Sequence, residues 1–212
     1  MELEIKEDRL YLSHNDLLGI EQNDHDKENT ERHIARYTFA SKFLTSSSIV
    51  LDCACGSGYG SNILAKKAKE VIGVDMHPNT IEFASQTYLK SNISFICSDL
   101  FDLDLEENSF DLIVSLETLE HILEQETWLK KINTLLKKDG TAIISSPMLR
   151  YRNGKPYITN PYHISELPKK ELLNLISKNF GLVEFFAQHQ TKFIELTIED
   201  TGFCIAKCRK TD

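Results

Sequence analysis

The sequence predicts an α/β fold built on a doubly wound sheet, and three features predict it. Short apolar runs at residues 49–51, 70–75, 93–96, 110–116 and 141–146 alternate with helical stretches, the pattern of strands joined by crossover helices. The first run opens into VLDCACGSGYGS, residues Val50 to Ser61, where Gly56, Gly58 and Gly60 make a turn tight enough for backbone to approach a ligand. Asp75 closes the second run and Asp99 follows the third, at the carboxyl edge where such sheets bind ligands.

The turn itself narrows the ligand. Asp52 stands four residues before Gly56, and a carboxylate there repels a pyrophosphate but suits a cationic group. The glycines read G-x-G-x-G, and the last glycine position of a dinucleotide loop is Ser61.

In chain order, Leu3, Ile5, Leu10 and Leu12 suggest a strand or hairpin, and residues 24–28 read as a solvated loop. A helix starts near Thr30 with Ile34, Tyr37, Ala40 and Leu44 on one face. It leads into the first strand and can lie over the turn, so that Arg36 or Tyr37 reaches a ligand carboxylate; the alternative is a core Tyr37 and a surface Arg36. A second helix starts near Tyr59 and runs through residues 61–67. Asp75 lies nineteen residues after Gly56, where an acid accepts hydrogen bonds from ribose hydroxyls, although His77-Pro78 directly afterwards also fits a helix start. Residues 78–89 form the third helix, burying Ile81, Ala84 and Tyr88. Asp99 can accept from an adenine amino group, with Leu100 against the ring. Residues 125–137 make an amphipathic helix stopped by Asp139-Gly140, and 165–178 another ended by Asn179-Phe180-Gly181. Residues 183–187 and 203–207 read as closing strands, with an extra strand at 193–198 between them.

The simplest organisation of the 212 residues is one domain, with 1–45 as an N-terminal cap and the long loop 147–165 on the substrate side. The net charge of -8 argues against a DNA duplex held by phosphate contacts and against an anionic membrane surface, although basic pairs such as Lys66-Lys67 and Lys130-Lys131 are present. The acidic start is not a secretory signal, and no apolar run approaches the ~18 residues of a membrane span. Five cysteines, odd in number and placed at strand ends, suggest reduced thiols and a cytoplasmic location. Cys53-x-Cys55 has no histidine–cysteine partners at zinc spacing, so no metal is expected.

VLDCACGSGYGS, VIGVD, CSDL, FDLIVSLETLEHI and LLKKDGTAIISSP stand in the order found in class I S-adenosylmethionine-dependent methyltransferases, and residues 34–207 resemble that family. The resemblance implies a Rossmann-like sheet of seven strands, mostly parallel with an antiparallel last strand. It implies that the turn, with Asp52, Ala54, Gly56, Gly58 and Tyr59, holds the methionine part of the cofactor, assisted by Tyr37. Asp75 and Met76 would hold the ribose, Asp99 and Leu100 the adenine, and Leu116 and Glu117 would line the methyl group. ERHIARYTFAS, NPYHISEL and FFAQ further resemble methyltransferases of bacterial surface-polysaccharide clusters, which implies a sugar or nucleotide-linked acceptor. Asn160-Pro161-Tyr162-His163 looks like the base-methylating Asn/Asp-Pro-Pro-Tyr motif, but it follows the fifth strand rather than the fourth, so base N-methylation loses support.

Methyl transfer to a hydroxyl gains from a general base, and there are two candidates. His121 lies four residues after Glu117, which on a helix puts both on one face and lets the carboxylate orient the imidazole. His163 sits in the long loop where a polar acceptor would dock. Arg150, Arg152 and Lys155 are either anchors for an acidic acceptor or surface charge. The favoured activity is O-methylation of a small carbohydrate or nucleotide-linked precursor. N-methylation, a protein or RNA acceptor, a nucleotide-cofactor oxidoreductase, and a non-catalytic cofactor-binding domain are the alternatives.

Overall fold

The computed structural model describes residues 24–158 and 160–210; the expected strand or hairpin around Leu3 to Leu12 lies outside them. The main sheet has eight strands: β1 (Ile49–Cys53), β2 (Glu70–Asp75), β3 (Ile93–Cys97), β4 (Phe110–Leu116), β5 (Leu136–Pro147), β8 (Leu182–His189), β9 (Lys192–Glu195) and β10 (Phe203–Arg209). Their order is β3-β2-β1-β4-β5-β10-β8-β9. The first five are mutually parallel, and β10 runs antiparallel to both β5 and β8. The family resemblance implies seven strands; the eighth is β9, the extra strand read at 193–198, which spans Lys192–Glu195 and folds back on β8 across Gln190-Thr191, with Gln190 in the left-handed region at φ 56°.

The central strands are apolar on both faces, as strands covered by helices on both sides must be. Val50, Leu112, Val114 and Ile143 face one layer with Tyr37, Phe39 and Ala40 of α1 (Asp24–Ala40) and Leu64 of α2 (Tyr59–Leu64). Leu51, Ile113, Ala142 and Ile144 face the other, against Trp128, Leu129 and Ile132 of α4 (Gln125–Leu135) and Leu172 and Ile176 of α5 (Lys169–Ser177). α3 (Pro78–Thr87) joins β2 to β3 and buries Ile81 and Ala84, with Tyr88 buried just beyond its end, as the spacing predicts.

Several boundaries differ from expectation. Residues 24–28 are the first turns of α1 rather than a loop; Glu28 pairs with Arg32 one turn on and accepts from Gln190 beyond β8. α4 ends at Leu135, and Leu136 already belongs to β5, whose ladder with β4 shifts between Phe110 and Leu112. Asp139, at φ 63°, and Gly140 form that irregularity. A Cβ on Gly140 would lie 2.8 Å from the Lys137 carbonyl oxygen. α5 begins after Pro168 rather than at Ser165, because the residue before a proline is held out of the helical region.

The long loop carries structure of its own. β6 (Arg150–Arg152) and β7 (Lys155–Tyr157) form a hairpin closed by Asn153-Gly154, both at positive φ, the two-residue turn that Asn-Gly favours. Among the described residues no helix is long and apolar enough to cross a membrane.

Candidate functional site

A cavity of about 590 Å³ opens at the carboxyl ends of β1, β2 and β4, roofed by α1. Arg36, Tyr37, Ala54, Gly56, Tyr59, Asp75, Met76, Asp99, Leu100, Leu116, Glu117, His121 and Tyr162 are on its wall. Its size falls within the roughly 300–1,000 Å³ of small-molecule sites.

Local backbone chemistry makes the floor. Ala54, Gly56 and Gly58 have φ of 55°, 53° and 83°, so the chain after β1 is a left-handed turn that only the glycines adopt without strain. The Cys55 amide donates to the Val74 carbonyl (2.9 Å) and the Gly58 amide to the Cys55 carbonyl (3.1 Å). Asp75, at the tip of β2, accepts from the Gly56 amide at 3.1 Å through one oxygen and from the His77 amide at 3.0 Å through the other. It therefore braces both the turn and the start of α3, and still lies on the cavity wall. Gly60 is glycine for a different reason. A Cβ there would stand 2.0 Å from the Tyr37 ring, so α1 and α2 meet only because that position is bare.

Two predicted cofactor residues, Asp52 and Gly58, are not on the wall. Asp52 is fully buried beneath the turn, accepting from the Tyr37 hydroxyl (3.1 Å) and the Ser61 hydroxyl (2.6 Å). Burial pushes its carboxyl up to about 7, against the opposing pull of those two hydrogen bonds. Tyr37 is thus both core and wall.

Arg36 is neither a surface charge nor merely adjacent to the site. It is 2% exposed, with its guanidinium 4.6 Å over the Phe203 ring and Nε donating to Gln188 Oε1 at 2.7 Å. Nη2 is 3.7 Å from Glu117 Oε2, and Nη1 is buried with no hydrogen-bond partner. His33 beside it is held down to about 3, first by burial and then by the Arg36 and Arg32 charges, which keeps it neutral.

Glu117 and His121 do not share a helix face. β4 ends at Leu116, Glu117 turns through φ 52°, and only Leu119–His121 form a short 3-10 turn. Glu117 points to Ser145 and Arg36 instead. The two candidate bases meet each other: the His121 and His163 rings stand edge to face, 4.9 Å between centroids. The loop is held there by the Glu120 carbonyl, which accepts from the Ile164 and Ser165 amides, and by Gln125 Nε2, which donates to the Leu119 and Ser165 carbonyls. Asp99 is exposed at the rim and accepts from the Phe101 amide, with half-buried Leu100 beside it. Arg150, Arg152 and Lys155 sit on the hairpin and are not on the cavity wall.

Sequence reasoning missed Ser145, Gln188, Glu120 and Glu166. Gln188 reaches Arg36 from 152 positions away, and no local pattern announces it.

Residues 51–144 match the family described as "Methyltransferase domain". A probable S-adenosylmethionine-dependent methyltransferase of Mycolicibacterium smegmatis is 27% identical over 164 residues, 71% of this chain and 63% of that protein. The ubiquinone biosynthesis O-methyltransferase of Coxiella burnetii is 34% identical over 111 residues, 51% of this chain and 46% of that protein. The chain thus spans less than two thirds of the length of these curated relatives. Among solved structures, the N-methyltransferase NodS from Bradyrhizobium japonicum shares the fold with a TM-score of 0.64 at 21% identity, over 90% of this chain and all of that one. The sheet order and the glycine turn are those of a Rossmann-like methyltransferase fold, and within it residues 51–144 match the methyltransferase family.

Proposed function

We propose that this chain methylates a small polar acceptor, most simply a hydroxyl of a carbohydrate or nucleotide-linked precursor, using S-adenosylmethionine. One observation carries the cofactor side: the unpartnered, buried Nη1 of Arg36 at the cavity wall, a fixed cation that a ligand carboxylate would satisfy. A buried guanidinium nitrogen left unpaired is costly, and the carboxylate of a methionine moiety above the glycine turn removes that cost. Asp75, Met76, Asp99 and Leu100 are on the same wall, where a ribose and an adenine would find acceptors and an apolar surface. The acceptor side faces His121, Tyr162 and the 147–165 loop.

When bound, the cofactor supplies an activated methyl group on sulfur. The chain's own residues have to hold the acceptor in line and take up its proton, and positioning can supply most of the acceleration. Glu117 is held by Ser145 at the end of β4, and His121 lines the neighbouring wall; His121 is the nearer candidate to receive the proton, because its ring lies on the cavity. His163 is tied to Glu166 and Asn160 behind it. The hydroxyl reading is supported by the O-methyltransferase among the relatives, and the glycan reading by the ERHIARYTFAS and NPYHISEL stretches.

Titration with S-adenosylhomocysteine and with NADH tests the cofactor. We expect the first to bind and the second not; the reverse would end this reading. Methyl-labelled cofactor incubated with fractionated metabolites then identifies the acceptor. Label in a sugar-containing fraction supports the glycan assignment, and label confined to protein or RNA overturns it.

A further inference from the structure

Bordering the acceptor side of the cavity, with His121 on the wall and His163 and Glu120 behind it, lies an arrangement that methyl transfer does not require. Glu120, His121 and His163 each offer one donor atom, and the three atoms lie within 4.8 Å of one another. Atoms sharing one ion at about 2.1 Å each stand up to about 4.2 Å apart, so small side-chain rotations complete the set. Both imidazoles are prepared in the same sense. His121 Nδ1 is 3.0 Å from the Tyr162 carbonyl oxygen, which accepts its proton. His163 Nδ1 is 2.6 Å from Glu166 Oε1, a buried carboxylate. With the Nδ1 proton donated in this way, each ring carries its lone pair on Nε2, the arrangement of metal-binding histidines held by a carbonyl or carboxylate behind them. His163 Nε2 now accepts from Asn160 Nδ2 at 3.0 Å, the contact that a cation would displace.

The carboxylate supplies the independent sign. Glu120 is fully buried; its Oε2 accepts from the Ser146 hydroxyl at 3.1 Å, but its Oε1 has no hydrogen-bond partner. A buried carboxylate oxygen without a donor is expensive, and a cation removes that expense.

We propose that Glu120, His121 and His163 form a binding site for a divalent transition-metal cation at the acceptor edge of the cavity. Two imidazoles and one carboxylate suit zinc, manganese, iron or cobalt rather than magnesium or calcium, which prefer all-oxygen shells. His121 is exposed on the cavity wall, so positions of the ion on that side stay open to a hydroxylated ligand, the mark of a working rather than a structural site. With an ion bound, His121 Nε2 is no longer available to take the acceptor's proton, so its roles as ligand and as general base are alternatives; the ion's place in the reaction rests on the methyl-transfer reading, its binding does not.

The test is cobalt(II) titration of the whole chain, read by visible absorption and by calorimetry, with S-adenosylhomocysteine affinity measured on the same samples. We expect one cobalt per chain with an imidazole-type spectrum, displaced by zinc. His163→Asn should abolish uptake, and Glu166→Gln should weaken it by ~10–100-fold through the support it gives His163. Preserved S-adenosylhomocysteine binding shows that each variant is folded, and His121→Ala, at an exposed position, serves should the buried variants fail. No stoichiometric uptake by a chain that binds S-adenosylhomocysteine overturns the proposal. So does uptake that survives His163→Asn and His121→Ala but is lost in Cys53→Ser. Loss of S-adenosylhomocysteine binding with cobalt uptake intact would instead count against the methyltransferase reading alone.

Discussion

Ser145 on β5 and Glu117 after β4 are joined by three hydrogen bonds: the Glu117 amide is shared between the Ser145 hydroxyl at 3.0 Å and the Ser145 carbonyl at 3.2 Å, and the hydroxyl donates to Glu117 Oε1 at 2.7 Å. This clasp holds a non-glycine residue at φ 52°, a conformation that costs about 1–3 kcal/mol. Ser145→Ala should lower stability by about 1–2 kcal/mol and weaken S-adenosylhomocysteine, because Glu117 lies on the wall. Denaturant unfolding, followed by the lone tryptophan Trp128 buried against β4, gives the first number and calorimetry the second. Unchanged values for both would show that the clasp is idle.

Arg36→Met keeps most of the buried volume and removes the cation. By the proposed placement, S-adenosylhomocysteine affinity falls by roughly 10–100-fold, the worth of about 1.5–3 kcal/mol for a charged hydrogen bond. Methylthioadenosine, which lacks the amino-acid part, should bind both forms equally. Parallel losses for the two ligands would place Arg36 in general packing instead.

Gly60→Ala would ordinarily favour a helix. Here the added methyl meets the Tyr37 ring at 2.0–2.4 Å, so we expect a net loss of about 1–3 kcal/mol. Tyr37→Leu in the same chain opens the space, and the double variant should lose less than the sum of the two singles. Strict additivity in the thermal unfolding of the four proteins would contradict the contact.

Asp52 makes stability depend on pH. Its carboxyl titrates near 3.8 in the unfolded chain and about 7 in the folded one, so the folded state holds the proton longer. That contribution is complete below 3.8 and is lost as pH rises through about 7. His33, held down to about 3, acts in the opposite sense: its contribution is present above 6.5 and is lost as pH falls. The informative quantity is therefore the difference between wild type and Asp52→Asn. It should move against the wild type by a few kcal/mol between pH 4 and pH 7. Stability curves that run parallel across that range would remove the shift.

Much of this architecture was readable because it depends on local chemistry. Alternating apolar runs located β1 to β5 and the glycines located the turn, whereas the bond by which Asp75 braces that turn is a contact between strand tips that no local pattern shows. The Asn153-Gly154 hairpin also escapes that reading, which gives only a long loop there, because strands of three residues carry too little alternation to be seen. What was hidden depends on chain crossings. Gln188 and Phe203 bury Arg36 from the far end of the sequence, and periodicity on α1 alone places that arginine outside. The i, i+4 spacing of Glu117 and His121 misled because the backbone leaves β4 through a left-handed residue rather than into a helix. The meeting of His121 and His163 follows from the Glu120 carbonyl catching a loop some forty residues downstream, and no spacing rule contains that.

The two sides of the cavity differ in how they are anchored. One is cut from the tips of neighbouring strands and carries the sheet's own stability, whereas the other is a loop fastened at a few points, chiefly the Glu120 carbonyl, the Gln125 amide and the His121 ring. Substitutions between Pro147 and Ser165 can therefore remodel the outer half of the chamber while the inner half keeps its shape. Diversification of what this scaffold accepts has a ready route that leaves its foundations alone.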